Sequence, residues 1–241
     1  MHTVAIIPAR YASTRLPVKP LKLIAGKTLI QRVWEATINT GLFDKVIIAT
    51  DHEEIANHVR SFNAQVMMTA PDNNTGTDRI EECARSINTD LIVNVQGDEP
   101  FICREPLKKV IDAFADPQVQ VASIMSLIEN ENDLHNPACV KVIVDKNLDA
   151  IYFSRATIPF NRDKIDNIKY YKHFGVYAYR PEMLKTFVAL PQGTLEQIEK
   201  LEQLRLLENG YKIRMVLTEY RGMGIDTPED IRAAEEILNY E

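Results

Sequence analysis

The sequence predicts an α/β fold: a doubly wound, mostly parallel sheet with helices on both faces, and a mixed, antiparallel-rich portion inserted before the chain returns to that sheet. Three observations lead there. Short β-branched runs alternate with amphipathic stretches through the first half of the chain, which is the βαβ rhythm of a parallel sheet. After Val119, strand-like runs follow one another with few helical patterns between them, which predicts antiparallel pairing. The 241 residues are 45% hydrophobic, enough for one large or two modest domains with a substantial core.

Thr3 to Ile7 is the first strand. A helical apolar period covers about Thr28 to Thr40, then come the strand Lys45 to Thr50 and the helix Glu53 to Phe62. Gln65 to Thr69 is a strand and Thr77 to Ser86 a helix. Leu91 to Val95 has the continuous apolar character of a strand buried on both faces, and Glu105 to Phe114 is a helix. Val119 to Leu127, Val140 to Asp145, Ala150 to Ser154 and Phe174 to Tyr179 are the strands of the inserted portion. A long helix is predicted from about Leu195 to Glu208, because Leu195, Ile198, Leu201 and Leu204 share one face; Glu199, Glu202, Gln203 and Arg205 are interleaved and expected in solvent. The strand Lys212 to Thr218 and a helix opening at Thr227-Pro228-Glu229-Asp230 end the chain.

With 28 Lys+Arg against 34 Asp+Glu the formal charge is −6, which argues against binding nucleic acid or an anionic membrane, since either needs a broad basic face. Cys83, Cys103 and Cys139 are odd in number and far apart, so neither a disulfide framework nor a zinc site is predicted. His52 and His58, six apart, do not share a helix face, and His2 and His135 lack neighbouring ligand types. No apolar run approaches the roughly 18 residues of a membrane span, and the first residues lack the pattern of a secretory leader. A cytoplasmic protein is expected, for which the sequon Asn73-Asn74-Thr75 has no meaning.

In such sheets ligands bind at the carboxyl ends of the strands. The loop after the first strand places Arg10, Arg15 and Lys19 with Ser13 and Thr14 in ten residues without amphipathic spacing. Guanidinium forks, an ammonium and hydroxyls make it an anion grip fit for a triphosphate, the alternative being a solvated basic loop. Two familiar phosphate fingerprints fail. Gly26-Lys27-Thr28 ends like a P-loop, but Leu21 stands where the first glycine belongs; Gly222-Met223-Gly224 begins like a dinucleotide motif, but its sixth position is Thr227.

The segment Thr75-Gly76-Thr77-Asp78-Arg79 reads two ways: Thr77 or Asp78 caps the next helix, or Gly76 admits a nucleotide close to the backbone and Arg79 offers a donor. Gln96-Gly97-Asp98-Glu99-Pro100 is the most informative segment, because Asp98 follows a glycine at a central strand end and is a hard oxygen ligand suited to Mg²⁺ carrying phosphates. Asp226, after Gly224-Ile225, is the second such carboxylate or else a helix cap. Alternation through Lys172 to Tyr177 puts His173, Gly175 and Tyr177 on one strand face.

The segments Arg10 to Pro17 with Lys19, Gln96 to Pro100, Tyr152-Phe153-Ser154-Arg155-Ala156-Thr157-Ile158-Pro159, His173 to Tyr177, Leu201-Glu202-Gln203-Leu204-Arg205 and Gly224 to Asp230 closely resemble the 3-deoxy-manno-octulosonate cytidylyltransferases, also called CMP-Kdo synthetases. The resemblance covers essentially the whole chain. It implies a GT-A-like, Rossmann-like α/β nucleotidyltransferase, usually a homodimer, that activates the sugar acid Kdo with CTP for lipopolysaccharide assembly. On that basis we expect a single domain over residues 1–241, with about 1–127 and 210–241 as the nucleotide-binding part and about 128–209 as the sugar-binding and dimerisation part.

The resemblance also implies residue roles. Arg10, Ser13, Arg15 and Lys19 grip the CTP phosphates, Ala9, Gly76, Thr77 and Arg79 lie near the nucleotide, and Asp98 and Asp226 bind Mg²⁺. Gln96, Arg155, His173, Tyr177, Glu202 and Gln203 contact the sugar acid, with Lys19, Arg15, Asp98 and Asp226 as the catalytic set. One departure stands out: the family's loop reads Leu-Pro-Gly-Lys, whereas Val18 separates Pro17 from Lys19 here. A glycine needed for positive φ would leave Val18 strained and Lys19 displaced. The alternatives are an enzyme for 8-amino-Kdo or sialic acid, and a non-catalytic module that binds CTP.

Overall fold

In the computed structural model the described residues are 1–13 and 16–239. In chain order the elements are β1 (Thr3–Ala9), β2 (Leu23–Ile24), β3 (Lys27–Thr28), α1 (Leu29–Ile38), β4 (Lys45–Thr50), α2 (Glu53–Ser61), β5 (Gln65–Met68), α3 (Gly76–Ala84), β6 (Leu91–Asn94) and α4 (Arg104–Asp112). There follow β7 (Val121–Leu127), α5 (Glu131–His135), β8 (Lys141–Val144), β9 (Ala150–Ser154), β10 (Tyr171–Tyr179), α6 (Pro181–Ala189), α7 (Thr194–Glu199), α8 (Leu204–Glu208), β11 (Arg214–Leu217) and α9 (Pro228–Asn239). The fold is α/β with a mainly parallel sheet, as the alternating pattern predicts. The chain divides into two compact units, Met1–Leu107 with Gly222–Glu241, and Lys108–Arg221.

The first unit is built on parallel strands in the order β6, β1, β4, β5. Val4, Ala5, Ile6 and Ile7 of β1 are completely buried, as a strand covered on both faces requires. Helix starts in this unit carry their own caps. Thr28 accepts from Gln31 N ahead of α1, and Thr75 with Asp78 forms a reciprocal capping box ahead of α3. The cap of α3 is therefore Thr75, two or three residues before the Thr77 or Asp78 expected from the sequence. Ahead of α9, Thr227 Oγ1 accepts from Asp230 N, while Asp230 Oδ2 accepts from the backbone N–H groups of Asp226 and Thr227. Pro228 occupies the first helical position, where its missing N–H costs nothing.

In the second unit β7 lies between β11, which is parallel to it, and β10, which is antiparallel. β10 continues antiparallel to β8, and β8 to β9. Antiparallel pairing after Val119 is thus present, with β11 as the parallel exception. Because β7 pairs with β10 and β11, both β7 and β11 belong to this unit, whereas the expected boundaries at 127 and 210 put them with the nucleotide-binding part.

Two helical features differ from expectation. α6 arises between the strand at Tyr179 and the next helix, with Pro181 at its first turn and Met183, Leu184 and Phe187 buried. The single helix expected over Leu195 to Glu208 is two short ones, α7 and α8, parted at Lys200, which takes the left-handed conformation with φ 54° and ψ 49°. A buried salt bridge of 2.6 Å joins Glu196 of α7 to Arg205 of α8, and Arg205 is 6% exposed rather than solvated.

Candidate active site

Ala9 closes β1, and the basic loop begins at exposed Arg10. The Tyr11 backbone N–H donates to Asp51 Oδ1 at 3.0 Å, and the Tyr11 ring stacks on His52 with centroids 3.7 Å apart. The other oxygen of Asp51 accepts from Arg79 at 2.9 Å, and Arg79 also donates to Thr69 Oγ1. Arg79 is buried to 3% exposure, so its guanidinium braces the end of β4 and, through Asp51, the start of the loop. Thr77 is buried in the first turn of α3, and Ser13 is half-buried. Arg15 lies outside the described residues.

Val18 adopts φ 52° and ψ 43°, immediately before a short 3-10 turn over Lys19–Leu21. For a β-branched residue this region costs roughly 1–3 kcal/mol. Val18 thus takes the positive φ that the glycine of the family's loop would favour. Lys19 Nζ donates to Asp98 Oδ2 at 2.8 Å and to Asp226 Oδ1 at 2.9 Å. Burial works against its charge, but Asp98, and with it Asp226, outweighs burial and holds the Lys19 pKa above the usual lysine value.

Backbone geometry aims both carboxylates. A Cβ on Gly97 would lie 2.5 Å from the Pro8 carbonyl oxygen, a distance no side chain tolerates, so only glycine lets the turn after β6 press against the end of β1. Gly76 is different: a Cβ there would sit in ordinary contact, 3.6 Å from the Pro8 ring. Ile225 N donates to Asp98 O at 2.9 Å and fastens the segment carrying Asp226 beside Asp98. Because Thr227 and Asp230 cap α9, Asp226 is not its cap and its carboxylate serves Lys19 instead. Gln96 Nε2 reaches Asn94 Oδ1 at 3.3 Å.

The second unit brings together His173 and Tyr177, whose rings lie 5.4 Å apart despite a register shift between Phe174 and Tyr177. Ser123 Oγ donates to the Val176 carbonyl at 2.8 Å, which leaves its lone pairs to accept from His173 Nε2 at 3.1 Å. Burial pushes the His173 pKa down to about 3, so its imidazole is neutral near pH 7. Burial also raises the Tyr177 pKa well above its ordinary value, with the Glu202 charge acting in the same direction. The Tyr177 hydroxyl and the Gln203 Nε2 are buried without a hydrogen-bond partner among the described residues. Orphaned groups of this kind are costly inside a protein and fit a polar ligand.

Arg155, directly after β9, is bound by carbonyls: Nε donates to Glu199 O at 2.8 Å, Nη1 to Pro137 O at 3.1 Å and Nη2 to Lys200 O at 3.4 Å. A cation at the exposed carbonyls of a helix end is favourable, and the break at Lys200 supplies them. Glu199 accepts from Ser154 Oγ at 2.6 Å and from Arg155 N at 2.9 Å. Sequence reasoning missed Asp51, Ser123 and Glu199 as partners of these residues. Asp51 had a signal, its place directly after a strand; Glu199 looked like one more solvated charge on a helix.

A family profile described as cytidylyltransferase matches residues 4–213, which sets the class. A 3-deoxy-manno-octulosonate cytidylyltransferase of Bacteroides thetaiotaomicron is 48% identical over 99% of this chain and 98% of its own. One of Flavobacterium johnsoniae is 44% identical over 99% of both chains. A solved structure of CMP:2-keto-3-deoxy-manno-octonic acid synthetase complexed with CTP superimposes with a TM-score of 0.94 and 36% identity, covering 100% of this chain and 99% of that one. The chain belongs to the 3-deoxy-manno-octulosonate cytidylyltransferase family.

Proposed function

We propose that this protein transfers the cytidylyl group of CTP to Kdo, giving CMP-Kdo and pyrophosphate for lipopolysaccharide assembly, as a cytoplasmic, Mg²⁺-dependent homodimer. The observation that carries it is the convergence of Asp98 and Asp226 on the Lys19 ammonium, set beside full-length identity to relatives of that name. The dimer is supported by Phe160, Ile165 and Ile198, large apolar side chains of the second unit that are exposed in the single chain. Among the described residues, no helix is long and apolar enough to cross a membrane.

The chemical task is to bring an anionic sugar acid to an anionic triphosphate, so positioning and charge stabilisation dominate. The anomeric C2 hydroxyl of Kdo attacks the α-phosphorus in line. The new O–P bond forms as the bond to pyrophosphate breaks, and the hydroxyl proton passes to solvent. Lys19, kept charged by its carboxylate neighbours, stabilises the departing pyrophosphate, with Arg10, Ser13 and Arg15 on the same phosphates. Ala9, Gly76 and Thr77 face the nucleoside, and Arg79 holds that wall in place. His173, being neutral, binds the sugar through a hydrogen bond and does not donate a proton. The orphaned Tyr177 hydroxyl and Gln203 amide supply donors to the sugar acid, beside Gln96, Arg155 and Glu202.

The donor set fits Mg²⁺: two carboxylates already share one cationic nitrogen, and Mg²⁺ is typically held by one or two carboxylates together with substrate phosphates and water. Asp98 and Asp226 would hold it, and it would supply charge neutralisation on the phosphates and a lowered pKa for the attacking hydroxyl. The experiment is pyrophosphate release from CTP with Kdo, 8-amino-Kdo and sialic acid, each repeated with EDTA, and light scattering for the dimer. EDTA-sensitive release with Kdo is expected. Release with another acid alone reassigns the substrate, and CTP binding without release from any acid leaves a silent module.

A further inference from the structure

We infer that Lys141 is a positioning residue for Arg155, and through it for the carboxylate of the sugar acid, an inference that rests on the function proposed above. Lys141 stands on β8 and has no exposed surface. An ammonium carried into the interior costs several kcal/mol unless its donors are satisfied. Here all three are: Nζ donates to the carbonyls of Asn136 at 2.9 Å, Cys139 at 2.7 Å and Arg155 at 2.9 Å.

None of these acceptors carries charge, and burial holds the Lys141 pKa below the usual lysine value although the Asp133 and Glu199 carboxylates act on it from beyond bonding distance. Were stability alone at stake, an apolar side chain of similar volume would commonly do as well. What the ammonium does is geometric. One acceptor is the carbonyl of Arg155 itself. The other two, Asn136 and Cys139, bracket Pro137, whose carbonyl receives Arg155 Nη1. Lys141 therefore fixes the backbone of Arg155 and the turn that holds one arm of its guanidinium, while Glu199 holds the Arg155 N–H and Nε. Two cations are thereby locked side by side, neither bonded through its side chain to a carboxylate among the described residues. That is the field an incoming carboxylate requires.

The test uses the full chain with Lys141→Met, which removes the ammonium at similar volume, and Lys141→Gln, which keeps an amide donor. For both variants the Kdo KM is expected to rise about tenfold or more while kcat and the CTP KM stay within about twofold. The Arg155 Nε–H resonance, assigned by its absence in Arg155→Lys, is expected to be sharp in the parent and lost in the Lys141 variants. Adding Lys141→Met to Arg155→Lys is expected to change the Kdo KM no further. An unchanged Arg155 resonance, a parallel rise in both KM values, or failure of both variants to fold overturns the inference. A parent chain that ignores Kdo would overturn the proposed function alone, and the resonance would still decide the role of Lys141.

Discussion

The side chains of Lys19, Asp98 and Asp226 are 18%, 30% and 40% exposed and bond to one another, whereas half-buried His173 and buried Tyr177 and Gln203 are neutral groups, the last two each with a polar atom unpaired among the described residues. At Lys19, Asp98 and Asp226 the first unit holds charge in reach of water, one ammonium between two carboxylates. At His173, Tyr177 and Gln203 the second unit holds neutral hydrogen-bonding groups away from water. A triphosphate arrives with its own counter-ions and needs charge that can be exchanged from one partner to another. A sugar is distinguished from its analogues by hydroxyl groups, and unpaired buried donors reject an analogue that lacks the matching oxygen.

The comparison is broken most directly at the charged end. Asp98→Asn or Asp226→Asn is expected to lower kcat by about 10³-fold at saturating Mg²⁺, with an unchanged circular dichroism spectrum. Turnover near the parent level would remove both residues from the chemistry. In the other unit, Arg155→Ala is expected to raise the Kdo KM by about 10- to 100-fold, the worth of a hydrogen bond to a charged group, with little change in the CTP KM. Steady-state kinetics with each substrate varied in turn separates the two cases, and equal rises would strip Arg155 of its selectivity for the sugar.

Tyr177→Phe sharpens the contrast, because it removes a hydroxyl that has no hydrogen-bond partner among the described residues. The melting temperature is expected to hold or rise while the Kdo KM climbs by about tenfold, and a fall in both would mean that the hydroxyl supports the fold. His173 gives the second unit a pH dependence of its own. Its folded pKa of about 3 lies below the ordinary 6.5, so between those values the unfolded chain takes up a proton that the folded chain refuses. Stability is complete above about pH 6.5 and falls by roughly 1.4 kcal/mol per pH unit below it. Denaturant unfolding from pH 6.5 to 5 measures the slope, and His173→Gln is expected to flatten it. The smallest effect is at Val18→Gly, which relieves a left-handed β-branched residue and is expected to add about 1 kcal/mol of stability, the larger backbone freedom of glycine in the unfolded chain offsetting part of the gain.

Legibility in the sequence followed the range of the interactions. Strands such as β1 and β6 declare themselves because complete burial demands an unbroken apolar run. Asp98 stood out as a candidate because it follows a glycine beyond the end of β6, and Asp226 because it follows Gly224-Ile225 just ahead of α9; the fold brings both to Lys19. The break at Lys200 was hidden, since Leu195, Ile198, Leu201 and Leu204 keep a helical period straight through it, and only distant partners, Arg155 on its carbonyls and Arg205 on Glu196, make the interruption worthwhile. Lys141 was invisible for the same reason: a lysine in an alternating strand reads as solvent-facing until carbonyls from three separate positions close around it. The cap of α3 was misplaced because Thr75, Thr77 and Asp78 all have capping chemistry, and geometry chose among them.

The last helix of the chain carries one more lesson, for anyone who would screen variants. Thr227 and Asp230 close the start of α9 between themselves, so the carboxylate just before them contributes little to keeping that helix wound. A library sorted by expression yield or thermal shift would accordingly not separate chains altered at position 226 from the parent. Only an assay that counts product would tell them apart, and the same blindness applies to any natural lineage that drifts at this position while continuing to make abundant, well-folded protein.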